Sequence, residues 1–333
     1  MEKPTLTFFC ELESNPLQAL FETPELISDL KTLEAHVSLG ILDLSPERAE
    51  IVKRLNRENV PVHAWLLLPK DQGYWFNLDN VEQACQRYEQ FQAWSQEYGL
   101  QWKAIGLDIE PDYRVIEYLR HSTWQGGWYL ARQAFNRQRG TNGRKAYQLL
   151  VNRIRRDGYP VESYQIPLIV DERRAHSSLL QRLLGIVDLA VDREVLMLYS
   201  SFVRPMGDGY LWSYAFDAQA IGVGSTGGGV DLEGVANTRP LSWAELQRDL
   251  LLAYQHTDYI YIFSLEGCVH QGFLPLIREM DWQQKPEIPV RTAEKIEHWR
   301  RWGRRALWGL SHPWAFFFAA FILWTMLSRG RRR

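Results

Sequence analysis

The segment AIGLDIEPD, residues 104–112, carries the clearest fold signal in the chain, because an apolar run typical of a buried strand ends there in carboxylates. Side chains of a strand point alternately to its two faces, so Asp108 and Glu110 share one face while Leu107 and Ile109 share the other. Strands that are apolar over most of their length are typical of parallel sheets covered by helices. We therefore predict a parallel strand of an α/β protein that ends in two carboxylates.

Eight such strand-like runs alternate with helical stretches across residues 1–285. They begin at Thr5, Val37, Val60, Trp102, Ser163, Glu194, Ala220 and Asp258. The stretches between them include amphipathic helices such as residues 45–59, where Ser45 is placed to cap the helix and Pro46 takes its first position. Eight βα units close a (β/α)8 TIM barrel. An open doubly wound sheet is the alternative, but no glycine-rich phosphate loop follows the first strand.

Functional side chains of such barrels lie at the C-terminal ends of the strands. The candidates at these ends are Glu11, Asp43, Trp65, Asp108, Glu110, Tyr199, Phe263 and Glu266. Asp108 and Glu110 are one strand repeat apart, about 6 to 7 Å between Cα atoms, so they repel when both are ionised and one holds its proton near neutrality. A protonated carboxyl beside an ionised one is what protonation of a glycosidic oxygen requires. Acids that cap the next helix or pair with arginines are the alternative.

Three short motifs resemble the chitinase-like glycoside hydrolases of family 18. GLDIE, ending at Glu110, resembles the end of their D-x-x-D-x-D-x-E signature, and Met197 to Tyr199 matches their Met-x-Tyr motif on strand 6. Phe263 in IFSLEG stands where the family has a Trp, and the first two acids of the signature are replaced here. The resemblance implies a substrate-assisted hydrolase without a cofactor. In it Glu110 is the general acid and base, Asp108 supports the substrate's acetamido group, and Tyr199 hydrogen-bonds to that group.

Two other functions fit the same residues. A retaining glycosidase with two glutamates would use Glu266 as its nucleophile, provided that its carboxyl lies about 5 to 5.5 Å from that of Glu110. A barrel that binds glycans without cleaving them would rely on its aromatic residues, and the chain has 14 Trp. In each case we expect a carbohydrate ligand and contacts from Trp65, Asp43 and Phe263, with Glu266 and Glu11 nearby.

Metal and nucleic-acid functions have less support in the sequence. Asp43, His63, Asp108 and Glu110 are a possible metal set, but His63 is equally expected as a hydrogen-bonded core histidine. The three cysteines show neither paired nor zinc-ligand spacing. A formal net charge of −2 is not that of a nucleic-acid-binding protein. We therefore predict no metal, no cofactor and no nucleic-acid partner.

The C-terminal part differs from the barrel in composition. Residues 306–327 contain no formally charged side chain, are long enough to cross a bilayer core of about 30 Å, and are flanked by arginines. We predict a basic linker at 286–305, a transmembrane or membrane-anchoring helix at 306–327 and a basic tail at 328–333. The lack of a secretory signal favours a cytoplasmic barrel, whereas four arginines oppose transfer of the tail, so the side of the membrane stays open. A re-entrant or interfacial segment is the alternative.

A basic helical excursion is predicted at residues 118–156. It has nine Lys and Arg residues and no Asp or Glu, and its N-terminal part carries Trp124, Trp128 and Tyr129. Such a segment suits an anionic membrane surface or an anionic glycan. A simple solvated helix face is the alternative.

Overall fold

The protein is described by a computed structural model that covers residues 3–112, 132–134, 136–229 and 239–312. Eight parallel strands form a closed barrel in which each strand pairs with the next and the last pairs with the first. The strands are β1 Thr5–Cys10, β2 His36–Ile41, β3 Val62–Leu66, β4 Ala104–Ile109, β5 Val161–Gln165, β6 Arg193–Met197, β7 Ala220–Gly224 and β8 Tyr259–Phe263. The predicted barrel is confirmed, and the open doubly wound sheet is excluded because Thr5 of β1 pairs with Tyr259 of β8.

Helices surround the barrel and connect its strands. They are α1 Ser14–Phe21, α2 Leu26–Thr32, α3 Pro46–Arg57, α4 Val81–Tyr98, α5 Arg137–Arg156, α6 Leu168–Arg174, α7 Leu179–Leu184, α8 Gly207–Ala215, α9 Trp243–Tyr254, α10 Leu265–His270, α11 Phe273–Arg278 and α12 Val290–Ser311. Ser45 caps α3 as predicted, since its side chain accepts a hydrogen bond from the amide of Arg48. The fifth strand ends earlier than the run from Ser163 predicts. Pro167 has no amide proton to donate to a strand ladder, and Leu168 begins α6.

The barrel interior is filled by an aromatic cluster separate from the core between strands and helices. Phe9, Trp65, Tyr164 and Tyr261 belong to this cluster, and the Phe9 and Tyr164 rings meet edge-on at 4.8 Å. Gly106 gives Tyr164 its room, because a Cβ there would lie 2.2 Å from the phenol oxygen. The interior is therefore a packed support for the strand ends and not a channel.

Buried polar groups lie beneath the aromatic cluster. Glu162 accepts hydrogen bonds from Tyr261 at 2.7 Å and pairs with His63 at 2.9 Å. The other ring nitrogen of His63 lies 3.0 Å from His36. His63 is thus a hydrogen-bonded core histidine, which is the alternative to its metal-binding interpretation.

The last helix, α12, is held against α6 and α8 by a buried guanidinium. Arg300 is 4% exposed and contacts Asp171 at 3.1 Å and Asp217 at 2.8 Å. Its guanidinium also lies 3.8 Å from the ring centre of Tyr214. Most of residues 286–305, interpreted above as a linker, therefore form a helix that packs on the barrel.

The predicted membrane segment lies mostly outside the described residues. Ala306 to Ser311 form the end of α12, and residues 313–327 are not described. Within residues 3–112, 132–134, 136–229 and 239–312, no helix has both the length and the apolar character needed to cross a bilayer.

Candidate active site

The carboxylates of strand β4 lie at the mouth of the barrel. Asp108 is 1% exposed, whereas Glu110, directly after the strand, is partly exposed. The indole nitrogen of Trp65 donates to Oδ2 of Asp108 at 3.0 Å. Oδ1 of Asp108 is buried and has no hydrogen bond of standard geometry within the described residues. Asp108 is therefore anchored on one oxygen, and Glu110 is the member of the pair that a ligand can reach.

The two carboxyls of Asp108 and Glu110 differ in proton affinity. Burial, followed by the charges of Glu110 and Glu11, raises the pKa of Asp108 well above its usual range. Burial raises the pKa of Glu110 to about 7, although interaction with Asp108 opposes the rise. Burial thus favours the protonated form of both carboxyls, and the pair retains a proton near neutrality. The sequence expectation of a single retained proton is consistent with these shifts.

Tyr199, which lies two residues after the end of β6, completes the predicted catalytic trio. Its ring packs over β7, because a Cβ at Gly222 or Gly224 would lie 3.3 Å from it. Burial raises the pKa of Tyr199, and the charges of Asp108 and Glu110 raise it further, so the phenol keeps its proton beside those carboxyls. The three residues thus share the barrel mouth.

A second pair of acids at the mouth consists of Glu11, directly after β1, and Glu266, in α10. Oε1 of Glu11 accepts a hydrogen bond from the Tyr74 hydroxyl at 2.7 Å. Oε1 of Glu266 accepts the amides of Gly229 at 2.9 Å and Glu11 at 3.4 Å. Burial raises the pKa of Glu266, and its Oε2 has no hydrogen bond within the described residues. Glu266 is therefore turned towards backbone amides.

The glycine-rich stretch after β7 closes over these acids. Gly229 has a φ of +85°, which favours glycine, and a Cβ there would lie 2.8 Å from Oε2 of Glu11 and 2.9 Å from the Phe263 ring. Phe263 is partly exposed, and its ring centre is 5.7 Å from that of Tyr199. Phe263 and Tyr199 form an aromatic wall of the mouth.

Asp43 and Trp65, which were predicted to contact a ligand, interact with other residues of the protein. Asp43 pairs with Arg48 at 2.9 Å and accepts the Ser45 amide at 3.0 Å. Despite partial burial, these hydrogen bonds and the charge of Arg48 hold the pKa of Asp43 well below its usual range. Trp65 is 4% exposed and lies under Asp108. Asp43 therefore ties β2 to α3, and Trp65 acts on the site through Asp108.

Buried arginines position the ends of the first three strands. Arg48 donates to the carbonyl of Gly40 at 2.8 Å and to that of Leu12 at 2.9 Å. Arg87 of α4 donates to the carbonyls of Ile41 at 2.7 Å and Leu67 at 2.9 Å. The two arginines thereby provide hydrogen-bond donors to buried backbone carbonyls at these strand ends.

Tyr74 is a site residue that sequence reasoning missed. It lies in the loop after β3, which is fixed to β4 because the amide of Phe76 donates to the carbonyl of Asp108 at 2.9 Å. Burial and the charge of Glu11 raise the pKa of Tyr74 far above its usual range, so its hydroxyl stays a donor. The available signal was the run of three aromatic residues from Tyr74 to Phe76.

The mouth therefore offers carboxyls with separated proton affinities, two phenols that stay protonated and an aromatic wall. Such an arrangement can exchange protons with a polar, uncharged ligand. Among the residues that the structure describes, no group of three or more His, Cys, Asp or Glu side chains is arranged to hold a metal ion.

Comparisons with known proteins find only weak similarity to solved structures. No protein-family model matches the chain, and no curated protein matches its sequence. A D-allulose 3-epimerase from Methylomonas sp. is 11% identical, with a TM-score of 0.42 over 90% of this chain and 99% of that chain. An L-ribulose 3-epimerase is 10% identical, with a TM-score of 0.41 over 92% and 96%. A D-psicose 3-epimerase solved with D-fructose is also 10% identical, with a TM-score of 0.40 over 92% and 99%. Similarity at this level carries no information about the reaction of this chain.

Proposed function

We propose that the barrel mouth is the active site of a glycoside hydrolase that cleaves glycans bearing a 2-acetamido group. The observation that carries the proposal is the Asp108–Glu110 pair, which holds one proton near neutrality beside the protonated phenol of Tyr199. An acid whose pKa lies near the working pH is efficient in general acid catalysis. The exposed member of the pair, Glu110, takes that role.

The proposed first step uses the substrate's own amide. The acetamido oxygen attacks the anomeric carbon, the glycosidic C–O bond breaks, and Glu110 gives its proton to the leaving oxygen. A substrate N–H donated to Asp108 favours the ionised form of that carboxyl, and Glu110, whose pKa is raised to about 7, holds the proton for the leaving oxygen. The ionised Asp108 then stabilises the cationic ring, and Tyr199 donates to the acetamido group.

The second step restores the enzyme. Water attacks the anomeric carbon of the cyclised intermediate, and the ionised Glu110 accepts a proton from that water. The ring opens to regenerate the acetamido group with retained configuration. Glu110 ends the cycle protonated, so the chain needs no other proton donor.

A two-glutamate mechanism is less well supported by the surroundings of Glu266. Its Oε1 is held by the amides of Gly229 and Glu11, and burial raises its pKa, whereas a nucleophile must be ionised and must face the anomeric carbon. A barrel that binds glycans without cleaving them remains the second candidate, and it is favoured by the aromatic wall of Tyr199 and Phe263.

Substrate choice tests the nucleophile. We expect hydrolysis of a chromogenic 2-acetamido glycoside and a loss of about 10⁴-fold in kcat/KM for the matched 2-hydroxy glycoside, because the latter lacks the attacking group and leaves buried polar groups unpaired. A thiazoline that mimics the cyclised intermediate should inhibit tightly.

Comparable rates on both glycosides, together with a glycosyl adduct on Glu266, would replace the proposal with the two-glutamate mechanism. Binding of the 2-acetamido oligosaccharide with no cleavage at any pH would favour the binding protein.

We further propose that the chain is attached to a membrane through residues 306–327. Support comes from the uncharged composition of that segment and from α12, which exposes Trp299 and Trp302 by 56% and 58%. Indole rings and arginines on one helix are typical of a membrane interface.

Ending the chain after His312 tests this attachment. That endpoint keeps the contacts of Arg300 and Arg304 with Asp171 and the hydrogen bond between Ser311 and Ser177, so a folded barrel is expected in the soluble fraction. The full chain should sediment with membranes. A truncated chain that still resists high-salt extraction from membranes would contradict the proposal. A truncated chain that is released only at high salt would indicate that the basic residues of 118–156 bind the membrane instead.

A further inference from the structure

A basic pocket lies outside the barrel, between α5, α7 and the end of α12. It has a volume of about 510 Å³, and its charged walls include Arg137, Arg144, Lys145 and Arg182. No Asp or Glu is among the described residues that line it. Leu78, on the loop after β3, also lines the pocket, so the pocket adjoins the side of the barrel where the strands end.

The cations of this pocket differ from the other arginines of α5. Arg139, Arg153 and Arg155 each form an ion pair, with Asp79, Glu89 and Asp192 respectively. For Arg137, Arg144 and Lys145, the described part of the chain provides no ion pair. Their spacing along α5 places them on one helix face. The pocket therefore concentrates positive charge that the described residues leave unneutralised.

Arg182 shows the consequence of that concentration. Burial lowers its pKa, and the charge of Arg137 lowers it further. The guanidinium is nonetheless fixed, because it donates to the carbonyl of Ala134 at 2.7 Å and to Ser178 Oγ at 2.5 Å. Glu172, a neighbouring acid, is fully buried and accepts the backbone amides of Leu180 and Gln181. An anion bound between Arg182 and Arg137 would relieve their repulsion.

We propose that this pocket binds the phosphate group of a phosphate ester. Guanidinium groups bind phosphate through paired hydrogen bonds, lysine adds a point charge, and the hydroxyl of Ser178 supplies a further donor at the pocket wall. The ester is either an anionic phospholipid or a soluble phosphorylated molecule. Ser311 lines the pocket and lies within the predicted membrane segment 306–327, which would bring a lipid headgroup within reach. This site does not depend on the chemistry proposed for the barrel mouth.

The test uses the full chain in a neutral detergent at constant ionic strength. Inorganic phosphate and glycerol 3-phosphate are titrated by calorimetry, with sodium chloride as the ionic control. In parallel, thermal unfolding is followed in micelles containing either phosphatidylglycerol or phosphatidylcholine. The pocket variant is R144Q/K145Q, and the matched control is R156Q/K285Q, which removes the same charge outside the pocket. All four positions are exposed, so the core is preserved in both variants.

We expect saturable phosphate binding that weakens about tenfold or more in the pocket variant and stays within about twofold in the control, since charge-assisted hydrogen bonds are lost only in the former. Greater stabilisation by phosphatidylglycerol than by glycerol 3-phosphate, lost in the pocket variant, would identify a lipid. The reverse order would identify a soluble ester. Equal weakening in both variants, or no effect of any phosphate compound, would overturn the proposal.

Discussion

Replacing Glu110 with Gln should lower kcat on a 2-acetamido glycoside by about 10²- to 10⁴-fold, the contribution expected from one general acid. The amide keeps the shape of the side chain but cannot give a proton to the leaving oxygen. Glu110 is the member of the buried pair that is partly exposed at the mouth, so its proton is the one that a bound substrate can receive. Steady-state kinetics of the full chain with the chromogenic glycoside measure the loss.

The pH profile distinguishes loss of the acid from general damage. Because the pKa of Glu110 is raised to about 7, its protonated form is retained below that pH, and kcat/KM should fall as the pH rises through it. The E110Q variant should lack this decline. The matched control is E13Q. Glu13 is an exposed glutamate three residues after the C-terminal end of β1, and its replacement should leave kcat unchanged. Wild-type activity in E110Q, or an unaltered alkaline limb, would exclude Glu110 as the acid.

Replacing Arg300 with Met should lower the free energy of unfolding by about 3 kcal/mol, because breaking a buried ion pair leaves its partner charges uncompensated. Asp171 and Asp217 both contact this guanidinium, and Arg300 also donates to the carbonyl of Ser213. Arg304 and Arg174 still pair with the two aspartates, which limits the loss. Urea unfolding of the full chain, followed by tryptophan fluorescence, measures the change.

The neighbouring residue provides the control. Arg301 is exposed on the same helix, so R301M should change the free energy of unfolding by less than about 0.5 kcal/mol. A pronounced difference between the two variants would establish that α12 is part of the folded barrel domain. Equal, small effects of R300M and R301M would mean that α12 is docked by other contacts or detaches easily.

The strands of the barrel could be predicted because their signal is local. Ala220 to Gly224 and Thr5 to Cys10 are apolar runs bounded by polar residues, and both form strands close to the predicted limits. The fifth strand shows the limit of that signal: residues 163–170 were predicted as one strand, but the strand ends at Gln165 and a helix begins at Leu168. Apolar content marks burial in either conformation, so it does not distinguish a buried strand from a buried helix.

The mouth was only partly predictable for a different reason. Strand ends identified Asp108, Glu110 and Tyr199, since closure of a parallel barrel brings such ends together. Tyr74 was missed because its role is a contact with Glu11, 63 residues away along the chain. Asp43 has a strand-end position like the others, but Arg48 and Ser45 occupy its carboxyl. The position of a residue in the sequence does not reveal which other residue its side chain contacts in the folded protein.

Apolar runs that alternate with helical stretches were therefore sufficient to predict the eight-stranded barrel. The alternation of side chains along a strand was sufficient to predict that Asp108 and Glu110 share one face. Three-dimensional packing raised the pKa values of Asp108 and Glu110, turned Glu266 towards backbone amides and joined α12 to the barrel. The physical reason is the range of the interactions. Strand formation depends on neighbours along the chain, whereas proton affinity and ion pairing depend on burial and on charges contributed by residues far apart in sequence.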